Sequence, residues 1–460
     1  MFKKITILSL LTIFLMTSGF GCKIASQETQ NAMKPITLVY WRVFDDSDAF
    51  QDIIAQYKAI HPNITIEYHK FRYEEYENQL LNALAEDRGP DIFSIQNTWV
   101  KKYQSKLAPM PATVTMVYPV TTGTIQKSTT YQLRTNNSLT VKDLKDNFVD
   151  VVGHDVILDD GKIYGLPLSL DTLAMFYNKD LLNNAGISQI PQYWNNEFLQ
   201  DVKKLTIQDP KNGLIQAGVA LGGSTNINRF SDILSVLMIQ NGAIMMDDAG
   251  RVQFNLPAAG QANNGYNPGI EALRFYTDFS NSAKESYSWN DSLPNSLDMF
   301  INGNLAIMFD YSYNLATIRA RAPKLNFSIV KLPQIEGNPP TNINFANYWI
   351  EGVSKKSTNQ NEAWDFIQFM TKAESVKGYL QKTNHPTALR ALIDWQKKQN
   401  NEISVFVDEV LTAKSWYKGK NEQAAEDAIK EMINEAKKNL TEDFESIIST
   451  TASKIQQTIN

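Results

Sequence analysis

The sequence predicts an α/β fold in two domains, on three observations. After residue 35, short β-rich runs alternate with amphipathic helical runs, the order that builds a parallel sheet through right-handed crossovers. The chain has 460 residues, more than one hydrophobic core organises. Its balance is globular, 43% hydrophobic and 20% charged, and a net charge of −5 offers no basic footprint for nucleic acid.

The N-terminus sets the compartment. Met1-Phe2-Lys3-Lys4 is a basic start, Ile5 to Phe20 is mostly apolar, and the small residues Ser18, Gly19 and Gly21 precede Cys22. That is the pattern of a secretory signal, assigned to residues 1–22. Thr6, Ser9, Thr12, Thr17 and Ser18 interrupt the run, which falls short of the roughly 20 apolar residues of a spanning helix, so cleavage is the expectation. Cys22 is the only cysteine, which excludes an intrachain disulfide. Gly19-Phe20-Gly21-Cys22 resembles a bacterial lipobox, with Gly19 where Leu is usual. The resemblance implies lipidation of Cys22 and anchoring to the cell membrane, facing the periplasm or the cell surface according to the envelope. Residues 23–35 are polar, without an apolar period, and read as a tether.

The elements follow in order. Ile36-Thr37-Leu38-Val39-Tyr40-Trp41 is a β-rich run, and Asp48 caps a helix whose Phe50, Ile53, Ile54, Tyr57 and Ile60 recur at helical spacing. His61-Pro62-Asn63 stops it. Ile64, Ile66 and Tyr68 alternate with polar residues as a half-buried strand; Tyr76, Leu80, Leu81 and Leu84 mark a helix that Gly89-Pro90 ends. Asp91-Ile92-Phe93-Ser94-Ile95 completes β-α-β-α-β. From Pro109 to Asn147 the chain is rich in Thr, Ser, Asn and Val with no clear period, either an inserted β excursion or a long surface loop. Asp159-Asp160-Gly161-Lys162 is a hairpin-type turn, Leu173 to Tyr177 a strand, and Asn178 caps a helix from Lys179 to Ala185 that Gly186 ends in the left-handed conformation. Glu422 to Leu440 and Phe444 to Ile459 have the spacing of a packed helical pair.

Several of these segments, taken together, resemble one family. Gly161-Lys162-Ile163-Tyr164-Gly165-Leu166-Pro167, then Phe176-Tyr177-Asn178-Lys179-Asp180-Leu181-Leu182 and Ala185-Gly186, is similar to the signature of bacterial sugar-binding proteins of ABC importers, the maltose-binding-like family. Pro90-Asp91-Ile92 with Trp99 resembles its second βα unit. Phe300-Ile301-Asn302-Gly303-Asn304-Leu305-Ala306-Ile307-Met308 resembles its helix-to-strand element, with Ile307 where the pattern has Met. Val330-Lys331-Leu332-Pro333 resembles the interlobe strand, and Glu362-Ala363-Trp364-Asp365-Phe366-Ile367 a later helix. The similarity runs from about Ile36 onward. It implies a two-lobed periplasmic-binding-protein fold with an interlobe cleft, lobe one from 36–170 and 332–383, lobe two from 171–331 and 384–460, the chain crossing more than once.

Candidate ligand residues come from strand ends, because loop backbone groups and helix N-termini converge beyond the carboxyl edge of a parallel sheet. Trp41 ends the first strand, with Phe44, Asp45 and Asp46 after it; Gln96 and Asn97 end the third, with Trp99 close by; Asp171 precedes Leu173; Tyr311 follows Asp310. Carboxylates and amides bond sugar hydroxyls, and rings stack on the apolar faces of a sugar. The aromatic share of 11%, with 8 Trp and 19 Tyr, supplies such rings. By resemblance, Asp45 or Asp46 is the ligand carboxylate after the first strand, and Asp171 the acidic residue ahead of the Tyr-Asn-Lys segment. Gln96 and Asn97 fall in the binding loop, Tyr311 takes the stacking position, and Trp416 and Trp349 are later aromatic contacts. Against each stands a plainer reading, a core ring or a helix cap.

The function so implied is capture of a carbohydrate, an oligosaccharide by expectation, through hinge closure, and delivery to the transmembrane subunits of an ABC permease. No cofactor or metal is implied, and a monomer is expected. A second reading keeps the fold with a peptide or polyamine ligand. Enzyme motifs are missing: His61, His69, His154 and His385 are scattered and read as surface or turn residues, and no His-Glu-x-x-His, phosphate loop or Gly-x-Ser-x-Gly occurs. The adjacent acids Asp45 and Asp46, or Asp247 and Asp248, suit glycosidase chemistry poorly, since neighbours on a strand point apart and Asp247-Asp248-Ala249-Gly250 is a turn pattern.

Overall fold

The Ser26 side-chain oxygen accepts the Thr29 N–H at 3.1 Å and caps a short helix, Gln27–Ala32, inside the stretch expected to be a tether. Thr29 is buried, and Asn63 Nδ2 donates to the Ala32 carbonyl at 3.0 Å, so this segment is held against the domain. The computed structural model describes residues 26–124, 127–211, 213–257, 265–337, 339–399, 401–438 and 443–459. The signal run and Cys22 lie outside these residues.

The strands run along the chain as follows. β1 (Ile36–Val43), β2 (Ile64–Phe71) and β3 (Ile92–Gln96) are parallel, β1 lying between the other two. β4 (Leu107–Ala108) is the edge of the same sheet. β5 (Thr113–Thr122) and β6 (Ser128–Asn137) form a separate antiparallel hairpin, so the region left open by the sequence is a β excursion. Next come β7 (Asp171–Thr172), β8 (Ala174–Asn178), β9 (Ile207–Asp209), β10 (Gly213–Val219), β11 (Leu305–Asp310) and β12 (Phe327–Lys331). Then follow β13 (Asn344–Asn347), β14 (Trp349–Ser354) and β15 (Ala413–Lys414). One five-stranded sheet has the order β2-β1-β3-β14-β4, another β12-β8-β11-β10-β9, and a three-stranded sheet β15-β13-β7.

Each large sheet carries its own core. Leu38, Tyr40, Ile92, Trp364 and Phe366 pack in the first; Phe176, Leu221, Phe300, Ile307 and Ile433 pack in the second. The three-stranded sheet is built where the chain passes between them. Leu170 belongs to the first core and Leu173 to the second; Phe345 belongs to the second and Ala346 to the first. The return crossing therefore falls at Ala346 rather than at Leu332, which is buried in the second core. Ala388, Leu389 and Leu392 stay in the first core although the sequence suggests lobe two from residue 384. Asn344 binds these crossings together, its Oδ1 accepting the Leu173 N–H at 2.9 Å and its Nδ2 donating to the Leu173 carbonyl at 2.7 Å.

Local signals act as their chemistry requires. Asn178 Oδ1 accepts the N–H groups of Asp180 and Leu181, capping the helix Lys179–Asn184, and Gly186 follows at φ 71°. Gly165 lies where a Cβ would sit 2.3 Å from Ile350 and 2.8 Å from the Glu351 carbonyl, close enough to break the Leu166–Glu351 bridge. His61 is a correction. It is 2% exposed, with Nδ1 3.1 Å from the Val117 carbonyl and Nε2 3.3 Å from Asp365, and it ties the hairpin to the first core.

Candidate functional site

The cleft between the lobes is lined by the end of β3 on one side and by two helix N-termini on the other. Gln96, Asn97 and Thr98 face Arg229, Ser231 and Asp232 at the start of the helix Phe230–Gln240. Glu422 and Glu426, four residues apart on the helix Glu422–Lys438, and Trp416 complete the wall. The space between these walls is about 40 Å³, far below the roughly 300 Å³ of a small-molecule pocket. The lobes are in contact. Thr98 Oγ1 donates to Glu422 Oε1 at 2.7 Å, and Trp99 Nε1 donates to Glu422 Oε2, two hydrogen bonds from lobe one to one carboxylate of lobe two.

Lobe one offers rings. Phe44 is 56% exposed in the left-handed conformation at φ 68°, an uncommon state for a bulky residue. It stacks on Tyr73 with centroids 5.8 Å apart. Trp349 meets Phe44, Tyr73 and Trp99 edge to face at 5.9, 6.3 and 5.8 Å. Burial raises the Tyr73 hydroxyl pKa, and the charge of Glu422 adds to the rise.

Lobe two offers charge. Arg229 is also left-handed, at φ 54°, and its guanidinium grips Asp232 through Nε and Nη2 at 2.9 and 3.0 Å. Burial opposes the Arg229 charge, yet Asp232 beside it holds the pKa above its ordinary value. Burial raises Glu422 and Glu426 above the usual carboxylate range, and Arg229 pulls both back. Non-glycine left-handed residues thus stand on both lips of the cleft, the sort of stored strain that gathers at binding sites.

The ten expected contacts fare differently. Gln96, Asn97 and Trp416 line the cleft, with Asn97 Nδ2 held by Asp155 at 3.0 Å and Trp416 Nε1 by Ser235 at 3.1 Å. Trp99 and Trp349 belong to the ring cluster. Trp41 instead packs on Phe71 at 4.5 Å. Asp45 is turned inward: its Oδ2 accepts from Arg42 Nε and Tyr379 Oη, each at 2.9 Å. Burial would raise its pKa, but Arg42 holds it below the usual carboxylate range. Asp46 is exposed and pairs with Lys70 at 2.7 Å. Tyr311 is fully buried, its hydroxyl donating to Asp232 at 2.7 Å, so it offers no face for stacking. Tyr313 lies flat against it at 5.7 Å and is 45% exposed. Asp171, in β7, accepts from Ser312 Oγ at 2.7 Å and the Tyr313 N–H at 3.3 Å; burial pushes its carboxyl up to about 7.

Sequence reasoning passes over Tyr73, Arg229, Asp232, Tyr313, Glu422 and Glu426. One signal was available: Glu422 and Glu426 share a helix face, four residues apart, beside the buried Ala425, Ala428 and Ile429. Among the described residues no cluster of His, Cys, Asp and Glu is arranged for a metal ion, and no helix is long and apolar enough to cross a membrane.

Two lobes, each with its own sheet and joined by crossing strands around a cleft, define the architecture of a solute-binding protein. Residues 44–377 match the bacterial extracellular solute-binding protein family, and the chain belongs to it. It is 26% identical over 259 residues to the sn-glycerol-3-phosphate-binding periplasmic protein UgpB of Pectobacterium atrosepticum, covering 54% of this chain and 53% of that one. It is 23% identical over 262 residues to the maltodextrin-binding protein MdxE of Bacillus subtilis, covering 54% and 55%. The chain thus spans about half the length of the curated relatives it matches. In fold it resembles the cyclic α-maltosyl-1,6-maltose binding protein of Arthrobacter globiformis, with a TM-score of 0.71 at 17% identity over 92% of this chain and 99% of that one.

Proposed function

We propose that this chain captures a neutral carbohydrate, an oligosaccharide, in the interlobe cleft and hands it to an ABC permease. The observation that carries this reading is a ring cluster on lobe one, Phe44, Tyr73, Trp99 and Trp349, bonded through Trp99 to Glu422 of lobe two, beside a polar cleft lining that lobe one supplies with Gln96 and Asn97 and lobe two with Asp232, Glu422 and Glu426. Rings suit the C–H faces of a sugar, and carboxylates and amides suit its hydroxyls. The maltodextrin and cyclic-maltoside binders among its relatives support a sugar. Glycerol phosphate, the ligand in another relative's name, fits less well. The cation lining the cleft, Arg229, already gives its fork to Asp232, and two further carboxylates face the space.

In this reading Tyr313 replaces Tyr311 as the stacking ring of lobe two, and Asp171 fixes the crossing strand rather than the ligand. The family is extracellular; Cys22 is the proposed lipid anchor, and catalysis has no part. The test is a thermal-shift and calorimetric screen of the mature protein against mono- and oligosaccharides, with sn-glycerol 3-phosphate, peptides and polyamines beside them. Ligand that binds the native state raises the midpoint. A rise with one glycan class, absent in Trp349→Ala, is the expected result. A shift with glycerol phosphate, peptide or polyamine alone overturns the ligand class, and turnover of an added glycan overturns the transport reading.

A further inference from the structure

A second concavity lies on lobe two, away from the cleft lining. It encloses about 410 Å³ between Ile190, Tyr193, Ile329, Leu332, Val405 and Glu409, a volume within the ~300–1,000 Å³ range of small-molecule sites. Its walls are fixed. The Gln192 carbonyl accepts the Gln334 N–H at 2.9 Å, and the Trp194 N–H donates to the Gln334 carbonyl at 3.0 Å, which pins the segment bearing Tyr193 to the one following Leu332. Ile190, Tyr193, Ile329 and Val405 give it an apolar side, and Gln192, Lys331, Gln334, Thr341 and Asn342 line it with Glu409.

Glu409 is the anomaly. It is 3% exposed, and the donors that reach it, the Leu332 N–H at 3.2 Å and Asn344 Nδ2 at 2.5 Å, both go to Oε2. Oε1 accepts no hydrogen bond from any described residue. No cation is paired with the carboxylate either: Lys331, at the rim, is engaged by Asp408 at 3.4 Å, and Asp408 is shared with Lys397. A buried carboxylate left without a counter-charge is costly, and this one lines a concavity of ligand size with an apolar side.

We propose that this groove is a second binding site, for a small apolar amine whose ammonium group pairs with Glu409 Oε1 while its hydrocarbon part packs on Ile190, Tyr193, Ile329 and Val405. Burial pushes the Glu409 carboxyl up to about 7, against the lowering by its two donors and by Lys331, with Asp408 adding slightly to the rise. An amine binds the ionised form, so its affinity falls as pH drops below about 7. The site adjoins the crossing between lobes through Asn344, which bonds both Glu409 and Leu173. It does not rest on the ligand assigned to the cleft.

The probe is benzylamine, titrated into the purified protein and followed by calorimetry and by amide chemical shifts near Glu409, with benzyl alcohol and benzoate in parallel. The expected result is saturable benzylamine binding at about pH 8 that weakens about tenfold or more in Glu409→Gln, is lost in Val405→Trp, and is not matched by the alcohol or the carboxylate. Glu409→Gln keeps an oxygen for the two existing donors. Should that variant fail to fold, as judged by circular dichroism, Val405→Trp on the groove wall carries the test alone. Absence of saturable binding to the wild type overturns the proposal, as does binding unchanged in the folded variants. Equal binding of benzyl alcohol would leave an apolar groove with no recognition by Glu409, and overturns it too.

Discussion

Tyr311 and Tyr313 stack on each other, yet they have opposite surroundings. The Tyr311 hydroxyl lies under the surface on Asp232, the carboxylate that Arg229 grips, whereas the Tyr313 ring is 45% exposed. Tyr311→Phe strips one donor from a buried carboxylate and is expected to cost about 1–3 kcal/mol in urea denaturation with sugar affinity little changed. Tyr313→Ala should weaken binding about threefold to tenfold by calorimetry, the worth of an aromatic stack of ~0.5–1.5 kcal/mol, with a small stability change. Sequence alone could not separate the pair: both follow β11 two residues apart, and only the packing of lobe two decides which ring reaches solvent. The place of Gln96 and Asn97 at the cleft was legible because a strand end is a local feature. Arg229, Glu422 and Glu426 were not, because their convergence is made by the tertiary fold. Protonation acts at this scale as well. Asp171 and Glu409 are raised to about 7 and Asp310 to about 6, each by burial. Between about pH 4.5 and 7 such groups hold a proton in the native state that the unfolded chain has lost, so stability falls as pH rises through that window. Asp45, lowered instead, contributes stability that is lost only below about pH 4. His385, also lowered, opposes the carboxyl trend near neutrality as a single group. The urea midpoint is expected to decline from about pH 5 to about 7.5, and Glu409→Gln to flatten the decline; a midpoint that rises over this range would contradict the assignment.

The β5–β6 hairpin shows where element-level reading stops. The β-α-β-α-β opening is readable because apolar period changes from two to near four at each boundary, and the Asn178 and Gly186 caps act at single positions. The hairpin gives a weaker signal. Every β6 residue is exposed or only half-buried, so no buried face imposes alternation on its Ser, Thr and Asn. The first half of β5 attaches it: Val114 and Met116 are 2% exposed in the first core, and His61 takes the Val117 carbonyl. Farther out, Thr121 and Thr129 bond across the strands in solvent at 3.0 Å. Met116→Ala is therefore expected to cost about 2–4 kcal/mol in denaturant unfolding, as a large-to-small change in a packed core. Replacing the tip from Val120 to Thr130 by a short glycine turn should leave the midpoint nearly unchanged. A large loss from the tip replacement would mean that the outer hairpin is anchored by contacts beyond those of Val114, Met116 and His61.

At the scale of the whole molecule, one carboxylate bonds the two lobes across the cleft. Both Glu422 oxygens are satisfied from lobe one, by Thr98 and Trp99, while the carboxylate itself sits on a lobe-two helix. Opening the cleft must expose or re-pair those groups, so Glu422 favours the closed arrangement by the difference between these bonds and water. A shift of about 1.4 kcal/mol changes the ratio of closed to open forms about tenfold. With about 40 Å³ between the cleft walls, the closed form admits no sugar, and a ligand must enter an open one. Glu422→Ala is accordingly expected to raise the population of open molecules in the absence of ligand, seen as a larger radius of gyration in small-angle scattering and easier acrylamide quenching of Trp99. Entry should then quicken. Retention is a separate quantity, because if Glu422 also bonds the sugar in the filled cleft, the same change speeds release, and stopped-flow measurement of both rates divides the roles. Faster association with unchanged dissociation assigns Glu422 to lobe closure alone; faster dissociation as well assigns it to the ligand too; and unchanged scattering with unchanged rates would show that the lobes are held by the crossing strands without it.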